Sequence, residues 1–144
     1  MILYECAHLR LTFHVRLRLL EVTWLGAASS EEFRQTQQYI LALAARHQVR
    51  AWLGDLRRMP PLHPLDQIWL QQHWFPQFLE LGLEKLAVVN ADDPFGRQNV
   101  EDVVVASKAR QHPGRPETRY FNDAEQAREW VEKPIAAAGL PLRG

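Results

Sequence analysis

The spacing of apolar residues changes repeatedly along this chain, from every second residue to every third or fourth and back. Leu9, Leu11 and Phe13 alternate with polar residues, which is the period of a strand with one buried face. Residues 19–24 continue with the same period almost at once, so a hairpin is the simplest connection between the two segments. Strands that then alternate with helices restrict the chain to a layered α/β fold.

The first helix is marked by its own start signal. Ser29 and Glu32 form a capping box, in which each side chain satisfies a backbone N–H group that the helix leaves without a partner. Apolar residues then recur at helical spacing, which predicts a helix that ends near His47. A strand is predicted to begin at Val49.

A second helix is predicted over residues 65–81, with one helical face built from apolar side chains: Leu65, Ile68, Trp69, Phe75, Phe78 and Leu79. Pro76 interrupts this segment, because an interior proline removes a hydrogen bond and clashes with the preceding turn. We therefore expect a kink or break at residues 73–75. Gly82 is expected to cap the end of the helix.

The second half of the chain repeats the alternation. Residues 85–89 are apolar in their middle, which is typical of a central parallel strand covered on both sides. Residues 96–111 have valines that favour a strand, but Val100, Val103, Val104 and Ser107 share a helical face, and we predict a helix. Residues 117–121 are predicted as the last strand and residues 122–133 as a capped helix.

Together these segments predict one domain over residues 1–144, with a core over 9–133 and a flexible tail over 134–144. The expected fold is α/β, with a mixed, mostly parallel five-stranded sheet, an N-terminal antiparallel hairpin and four helices.

Charge and composition exclude several classes of protein. Lysine plus arginine equals aspartate plus glutamate at 17 each, so the chain lacks the basic excess of a nucleic-acid binder. Cys6 is the only cysteine, which rules out an intramolecular disulfide. No segment approaches the roughly 20 apolar residues of a membrane span, and Glu5 precedes any run long enough for a signal peptide. A cytoplasmic protein is expected.

The order of segments resembles the STAS superfamily, most closely the small stand-alone bacterial proteins described as anti-sigma-factor-antagonist-like and grouped with CRAL-TRIO lipid-binding domains. The resemblance extends over about residues 9–133 and is carried by the stretches VTWLG, SSEEF, WLGDLRRM, PLDQIWL, LAVVN and RYFNDAEQAREWV. It implies a non-enzymatic regulatory or binding domain that recognises a protein partner or a small apolar ligand.

One position departs from the phosphorylation-switched members of that superfamily. In those proteins a serine or threonine follows an aspartate at the start of the helix after the third strand. The matching stretch here is LDQIW, in which Asp66 fits but Gln67 occupies the phosphoacceptor position. Glutamine has no hydroxyl group, so a phosphorylation switch is not expected.

Polar residues cluster where strands are predicted to end, which is where open α/β sheets bind ligands. The candidate binding residues are Asp55, Arg57, Arg58, Asp66, Gln67, Trp69 and Asn90, with Asp92 and Asp93 following the same strand as Asn90. The alternative is that Asp55 and Asp66 cap turns or pair with the arginines while Trp69 fills the core.

A catalytic role is the weaker hypothesis. Asp55, His63 and Asp66 flank one loop and could form an acid–base site, but no serine or cysteine lies near them to act as a nucleophile. The spacing of His63 and His73 matches no metal site. Neither a metal nor a cofactor is expected.

The tryptophans suggest a third role. Trp24, Trp69 and Trp130 lie on apolar faces and are predicted to be buried in the core. If helices cover only one face of the sheet, Trp52 is left partly exposed together with Tyr120, and an exposed aromatic patch is typical of an interface. Homodimerisation, or a purely structural dimerisation role, is therefore a further hypothesis.

Overall fold

The computed structural model describes residues 1–90 and 116–133, which form a six-stranded sheet with helices on both faces. The strands lie side by side in chain order. In sequence the elements are β1 (Ile2–Glu5), β2 (Leu9–His14), β3 (Leu19–Trp24), α1 (Ser30–Arg46), β4 (Ala51–Asp55), α2 (Pro64–Trp69), a π-helical segment (Leu70–Trp74), α3 (Phe75–Leu79), β5 (Lys85–Val89), β6 (Glu117–Phe121) and α4 (Ala124–Glu132).

The first three strands are antiparallel and the remaining pairs are parallel. The predicted hairpin of β2 and β3 is confirmed, and the alternation puts Leu9, Leu11 and Phe13 in the core. The prediction of five strands is wrong, because β1 adds a sixth at the edge of the sheet. An edge strand has a neighbour on one side only, and no residue of β1 is fully buried, so its sequence lacks a buried alternating face.

The parallel half of the sheet follows the predicted order. All five residues of β5 are buried, as expected for a strand that lies between β4 and β6 and has a layer on each face. The helix predicted over residues 96–111, the tail predicted over 134–144, and the positions of Asp92 and Asp93 lie outside the described residues. Three helical units are described, against the four that the sequence predicts.

The capping box of α1 is present as predicted. The Ser29 hydroxyl accepts a hydrogen bond from the Glu32 N–H, and the Ser29 N–H donates to the Glu32 carboxylate at 2.9 Å. Hydrogen bonding from the Ser29 backbone N–H, and to a lesser extent from the Ser29 side chain, holds the pKa of Glu32 below its usual value, because it favours the ionised carboxylate. The start of α1 is therefore fixed by local chemistry.

The proline in the second helical unit is accommodated by a change of helix type. Residues Leu70–Trp74 are π-helical, and the Phe75 N–H donates to the Leu70 carbonyl, five residues back. In place of the kink or break predicted at residues 73–75, the chain changes to a π-helix over Leu70–Trp74 and continues as α3 from Phe75. Gly82 follows the helix with a φ of 70° and donates its N–H to the Leu79 carbonyl, as a terminating glycine should.

The apolar face predicted for this unit is wrong in its first part. Leu65 and Ile68 are exposed and Trp69 is half-buried, whereas Leu70, Trp74, Phe75, Phe78 and Leu79 pack against the sheet. A π-helical turn contains an extra residue and shifts the following side chains by roughly 100° around the axis. One helical face therefore cannot run through both halves of the unit.

Two cores lie on opposite faces of the sheet. The larger core contains Trp24, Trp52 and Trp74. It lies between the sheet, α1 and the helical unit formed by α2, the π-helical segment and α3, which we call the bent helix. The smaller core contains Trp130 of α4. The prediction of an exposed Trp52 is wrong: only 5% of this residue is accessible, because both sheet faces are covered. Within the described ranges, no helix combines the length and apolar character needed to cross a bilayer.

Candidate functional site

The carboxyl ends of β3, β4 and β5 lie at one edge of the sheet, because these strands run parallel. Asp55 pairs in register with Val89, so Asn90 begins the loop directly beside the end of β4. The Leu56 N–H donates to the Val89 carbonyl at 2.9 Å and the Asn90 N–H donates to the Phe121 carbonyl at 3.0 Å. Two of the strand ends predicted to carry binding residues, those at Asp55 and Asn90, are therefore adjacent.

Asp55 forms an ion pair with Arg57, two residues further along the chain. Its two carboxylate oxygens accept from the Arg57 guanidinium at 3.0 and 2.8 Å, and the backbone N–H of Arg57 also donates to it. Arg58 is exposed and lines a depression with both residues and with Arg10. Asp55 therefore pairs with Arg57 and accepts from its backbone, as the alternative to a binding site predicted. Arg57 and Arg58 border an open polar depression.

Asp66 ties the two helices above the sheet together. It is buried, and its oxygens accept from the Ser30 hydroxyl at 2.7 Å and from Arg34 Nε at 2.9 Å. Both donors lie on α1, so the aspartate fixes the start of α2 against the first turns of α1. The sequence indicated a partner for Asp66 but not this one.

The remaining residues near Asp66 support the same turn. Gln67 Nε2 donates to the Leu62 carbonyl at 3.2 Å, and His63 Nδ1 accepts from the Leu65 N–H as the cap of α2. Trp69 lies edge-on to Phe33, with the Arg34 guanidinium 5.6 Å from its ring. These contacts give each polar group a positioning role.

The geometry does not assemble an acid–base site. Asp55 lines the depression beside Arg10, whereas His63 and Asp66 line a different one beside Phe33 and Trp24. Both Asp66 oxygens and His63 Nδ1 are already occupied. In the part of the chain that the structure describes, no group of three or more histidine, cysteine, aspartate or glutamate side chains could hold a metal ion.

A cavity of about 120 Å³ lies deeper, between the sheet and the helices of the larger core. Its walls are almost entirely apolar and include Trp24, Trp52 and Trp74. Sequence reasoning missed this cavity. The available signal was Gly54, a glycine in the middle of a strand that otherwise reads as continuous core.

Sequence reasoning also missed a buried cation on the opposite face. Lys85 Nζ donates to the carbonyls of Trp130 and Lys133 at 2.7 and 2.6 Å, which are the last carbonyls of α4, and lies 4.7 Å from the centre of the Trp130 ring. A cation at this end of a helix is favourable. Burial nevertheless lowers the pKa of Lys85, because desolvation penalises the charged amine.

We expect Lys85→Met to lower the free energy of unfolding by about 1 kcal/mol at neutral pH, since the Lys133 carbonyl loses this donor and the Trp130 carbonyl retains its bond from the Lys133 N–H. A lysine whose pKa is lowered in the folded state binds protons more readily when unfolded, so its contribution to stability rises with pH. The difference between wild type and variant should therefore grow as the pH rises from 7 towards the usual lysine pKa of about 10.4. Urea unfolding of both proteins across that range measures it, and a constant or shrinking difference would contradict the assignment.

The comparisons with known proteins agree with this fold. A model of the SpoIIAA-like family, whose domains belong to the STAS group of anti-sigma-factor antagonists, matches residues 19–132. That range begins at β3 and ends with α4. Searches of curated proteins and of solved structures gave no significant match. The match covers well over half of the chain, and the chain therefore belongs to the SpoIIAA-like family.

Proposed function

We propose that this chain is a regulatory, non-enzymatic domain that recognises a protein partner through the outer face of α2. Membership of the SpoIIAA-like family supports a regulatory, protein-binding role. The observation that carries the location is the exposure of Leu65 and Ile68, at 61% and 44%, on a helix whose continuation is buried. Neighbouring exposed apolar side chains on an ordered element are typical of an interface.

The face is held rigid by its surroundings. Pro64 and the His63 cap fix the first turn, and Asp66 anchors it to α1. Arg34 borders the same turn, donates to the Leu65 carbonyl and remains about two-fifths exposed. A preorganised surface loses little conformational entropy on binding. The partner that fits presents an apolar side chain next to a hydrogen-bond acceptor for Arg34.

The polar depression at the strand ends extends this face. Asp55, Arg57 and Arg58 line it together with Trp24, which also lines the depression that contains His63 and Asp66. We propose that this rim and Asn90 contribute secondary polar contacts to the same partner. Gln67 has no hydroxyl group and is bonded to the Leu62 carbonyl, so recognition is proposed to be independent of phosphorylation at that position.

Replacing both Leu65 and Ile68 by aspartate is expected to abolish partner binding without unfolding the domain, because both side chains are exposed. A partner captured from source cells by cross-linking to the wild-type protein should then be purified and titrated. We expect affinity to fall at least tenfold, since buried apolar anchors at interfaces contribute about 2 kcal/mol or more. Isothermal titration calorimetry gives the value.

The control for this experiment is Val15→Asp, which puts a charge on an equally exposed apolar residue in the β2–β3 turn, away from α2. This variant should bind the purified partner as wild type does. Equal binding by Leu65→Asp/Ile68→Asp and by wild type would place the interface elsewhere. Equal loss in the control would show that added charge alone weakens binding.

Other proposals concern assembly and location. Trp52 and Tyr120 were the two aromatic residues expected at a dimer interface. Trp52 is buried and cannot contribute, whereas Tyr120 on β6 is 41% exposed. We propose homodimerisation through the face that contains Tyr120. A shift from monomer to dimer in light scattering, measured over a concentration series, would support it. We also retain the cytoplasm as the proposed location of the protein.

The cavity of the larger core favours a second binding function, the uptake of a small apolar ligand. Its volume of about 120 Å³ is of the order of cavities that bind benzene, roughly 150 Å³. This site lies between the helices and the sheet, whereas the proposed partner face is on the outside of α2. The two binding functions can therefore be tested separately.

A further inference from the structure

We propose that the cavity above Gly54 binds a small, uncharged aromatic molecule that carries a hydrogen-bond acceptor. This inference rests on the proposed small-ligand function and specifies the chemistry of the ligand. It depends on three features of the described residues: an apolar wall, a strand glycine that the backbone does not require, and an indole N–H group without a partner.

The wall of the cavity selects against charge. Its floor is the sheet and its sides are α1 and the bent helix, and its only side chain with an amide or charged group is that of Gln37 among the described residues. Moving an ion into such surroundings without a partner is strongly unfavourable. Six of the fifteen residues that line the cavity are aromatic. Trp52 meets Trp74 and Phe78 edge-on at interplanar angles of 80°. An aromatic ligand can continue this edge-to-face packing.

Gly54 leaves the space that a ligand would fill. It pairs in continuous register with Val22 and Val88, so no bulge demands a glycine, and its φ lies outside the left-handed region. A Cβ atom added there would lie 3.9 Å from its nearest neighbours, an ordinary contact distance. A glycine weakens a central strand, and one that the backbone does not need marks a close approach by another group.

The unpartnered donor is Trp52 Nε1. It lies 3.9 Å from the position of that added Cβ, and Trp52 is 5% exposed. The structure gives this N–H no hydrogen-bond partner among the described residues, whereas Trp74 Nε1 donates to the Gln37 carbonyl at 2.9 Å. The nitrogen is not fully enclosed, so it can donate to an acceptor atom held in the cavity that Trp52 lines. A ligand above Gly54 with an acceptor atom would supply that hydrogen-bond partner.

The roof of the cavity offers a route of entry. Leu56, Met59 and Leu62 of the loop between β4 and α2 face inward, and the loop also covers an adjoining depression lined by Pro60 and Pro61. Within the loop the Met59 N–H donates to the Leu56 carbonyl, and the Leu62 carbonyl accepts from Gln67. This loop lies over the cavity, so its displacement would open a path for a ligand.

Two probes of the same shape separate the parts of the proposal. Acetophenone carries a carbonyl oxygen where α-methylstyrene carries a methylene group, so the first can accept from Trp52 and the second cannot. We expect wild-type protein to bind both with micromolar dissociation constants, measured by calorimetry. Failure of wild-type protein to bind either probe below the millimolar range would overturn both the small-ligand function and this inference.

Three variants assign the site. Gly54→Val should stay folded and weaken both probes at least tenfold, because its side chain fills the cavity. Gly54→Ala is the milder replacement should valine prevent folding, and it should weaken both probes less. Trp52→Phe should weaken acetophenone by about three- to tenfold relative to α-methylstyrene, the effect of one neutral hydrogen bond.

Trp130→Phe, which changes the tryptophan on the other face of the sheet, should leave both affinities unchanged. If Trp52→Phe changes the affinities for the two probes equally, the assignment of an acceptor-bearing ligand is overturned, and the site is an apolar cavity without a hydrogen-bond donor. If Gly54→Val binds the probes as wild type does, the site lies elsewhere in the molecule.

Discussion

Replacing Trp74 by alanine is expected to lower the free energy of unfolding by about 3–5 kcal/mol, the range found when large aromatic residues are removed from a core. Trp74 is buried against Trp52, Phe75 and Phe78, whose ring centres lie 5.9, 5.5 and 5.1 Å from its own. It also joins the bent helix to α1 through its bond to the Gln37 carbonyl. Urea unfolding followed by circular dichroism measures the loss.

Trp74→Phe separates the two contributions of this side chain. Phenylalanine keeps most of the ring packing but removes the indole donor to the Gln37 carbonyl, which retains its hydrogen bond within α1, so the loss is that of one hydrogen bond, about 0.5–1.5 kcal/mol. We therefore expect its stability to lie between those of wild type and Trp74→Ala. A loss below about 1 kcal/mol for the alanine variant would mean that the helix collapses into the vacated space.

The strands of this fold were predictable because burial leaves a periodic record in the sequence. Leu9, Leu11 and Phe13 alternate because one face of β2 lies on the core, and β5 is apolar from Leu86 to Val89 because both of its faces are covered. The edge strand β1 leaves no such record. Its residues are exposed or half-buried, so no buried face constrains their order.

The helix that contains Pro76 shows where periodicity fails. Helical spacing places Leu65 and Ile68 on one face with Phe75 and Phe78, provided that every turn has the same number of residues. The π-helical segment breaks that condition and turns the first half outward. The proline indicated a disturbance, but the type of turn depends on how the helix meets the sheet. For this reason the sequence did not predict that Leu65 and Ile68, the face proposed to bind a partner, would be exposed.

The candidate site was predictable as a location and less so as a set of contacts. Parallel strand ends must share an edge, which brought Asp55 and Asn90 together as expected. The partners of Asp55 and Asp66 depend on side-chain geometry, and Asp66 reaches Ser30 and Arg34 across more than 30 residues of sequence. Gly54 was the sequence signal for the cavity, but a strand glycine alone does not tell whether the space above it is filled by a neighbouring side chain or left open.

Removing Arg128 is expected to show how α4 is held to the sheet. Glu21 is buried on β3, and its two oxygens accept from Arg128 Nε and Nη2 at 2.9 and 3.1 Å, with His14 Nε2 at 2.6 Å as a further contact. The hydrogen bond to Glu21 raises the pKa of Arg128, so the arginine stays charged. In Arg128→Met the carboxylate stays buried and keeps only its contact with His14 among the described residues.

We expect Arg128→Met to lower the free energy of unfolding by about 2 kcal/mol, less than for a fully buried ion pair because the arginine side chain is nearly half exposed. The double variant Glu21→Leu/Arg128→Met should recover at least half of that loss, since an apolar side chain at position 21 can pack against its register partner Leu53. A double-mutant cycle by urea unfolding, completed with Glu21→Leu, isolates the coupling between the two residues. If the double variant is less stable than Arg128→Met, Glu21 stabilises the fold even without the arginine, and the penalty assigned here to its unpaired carboxylate is wrong.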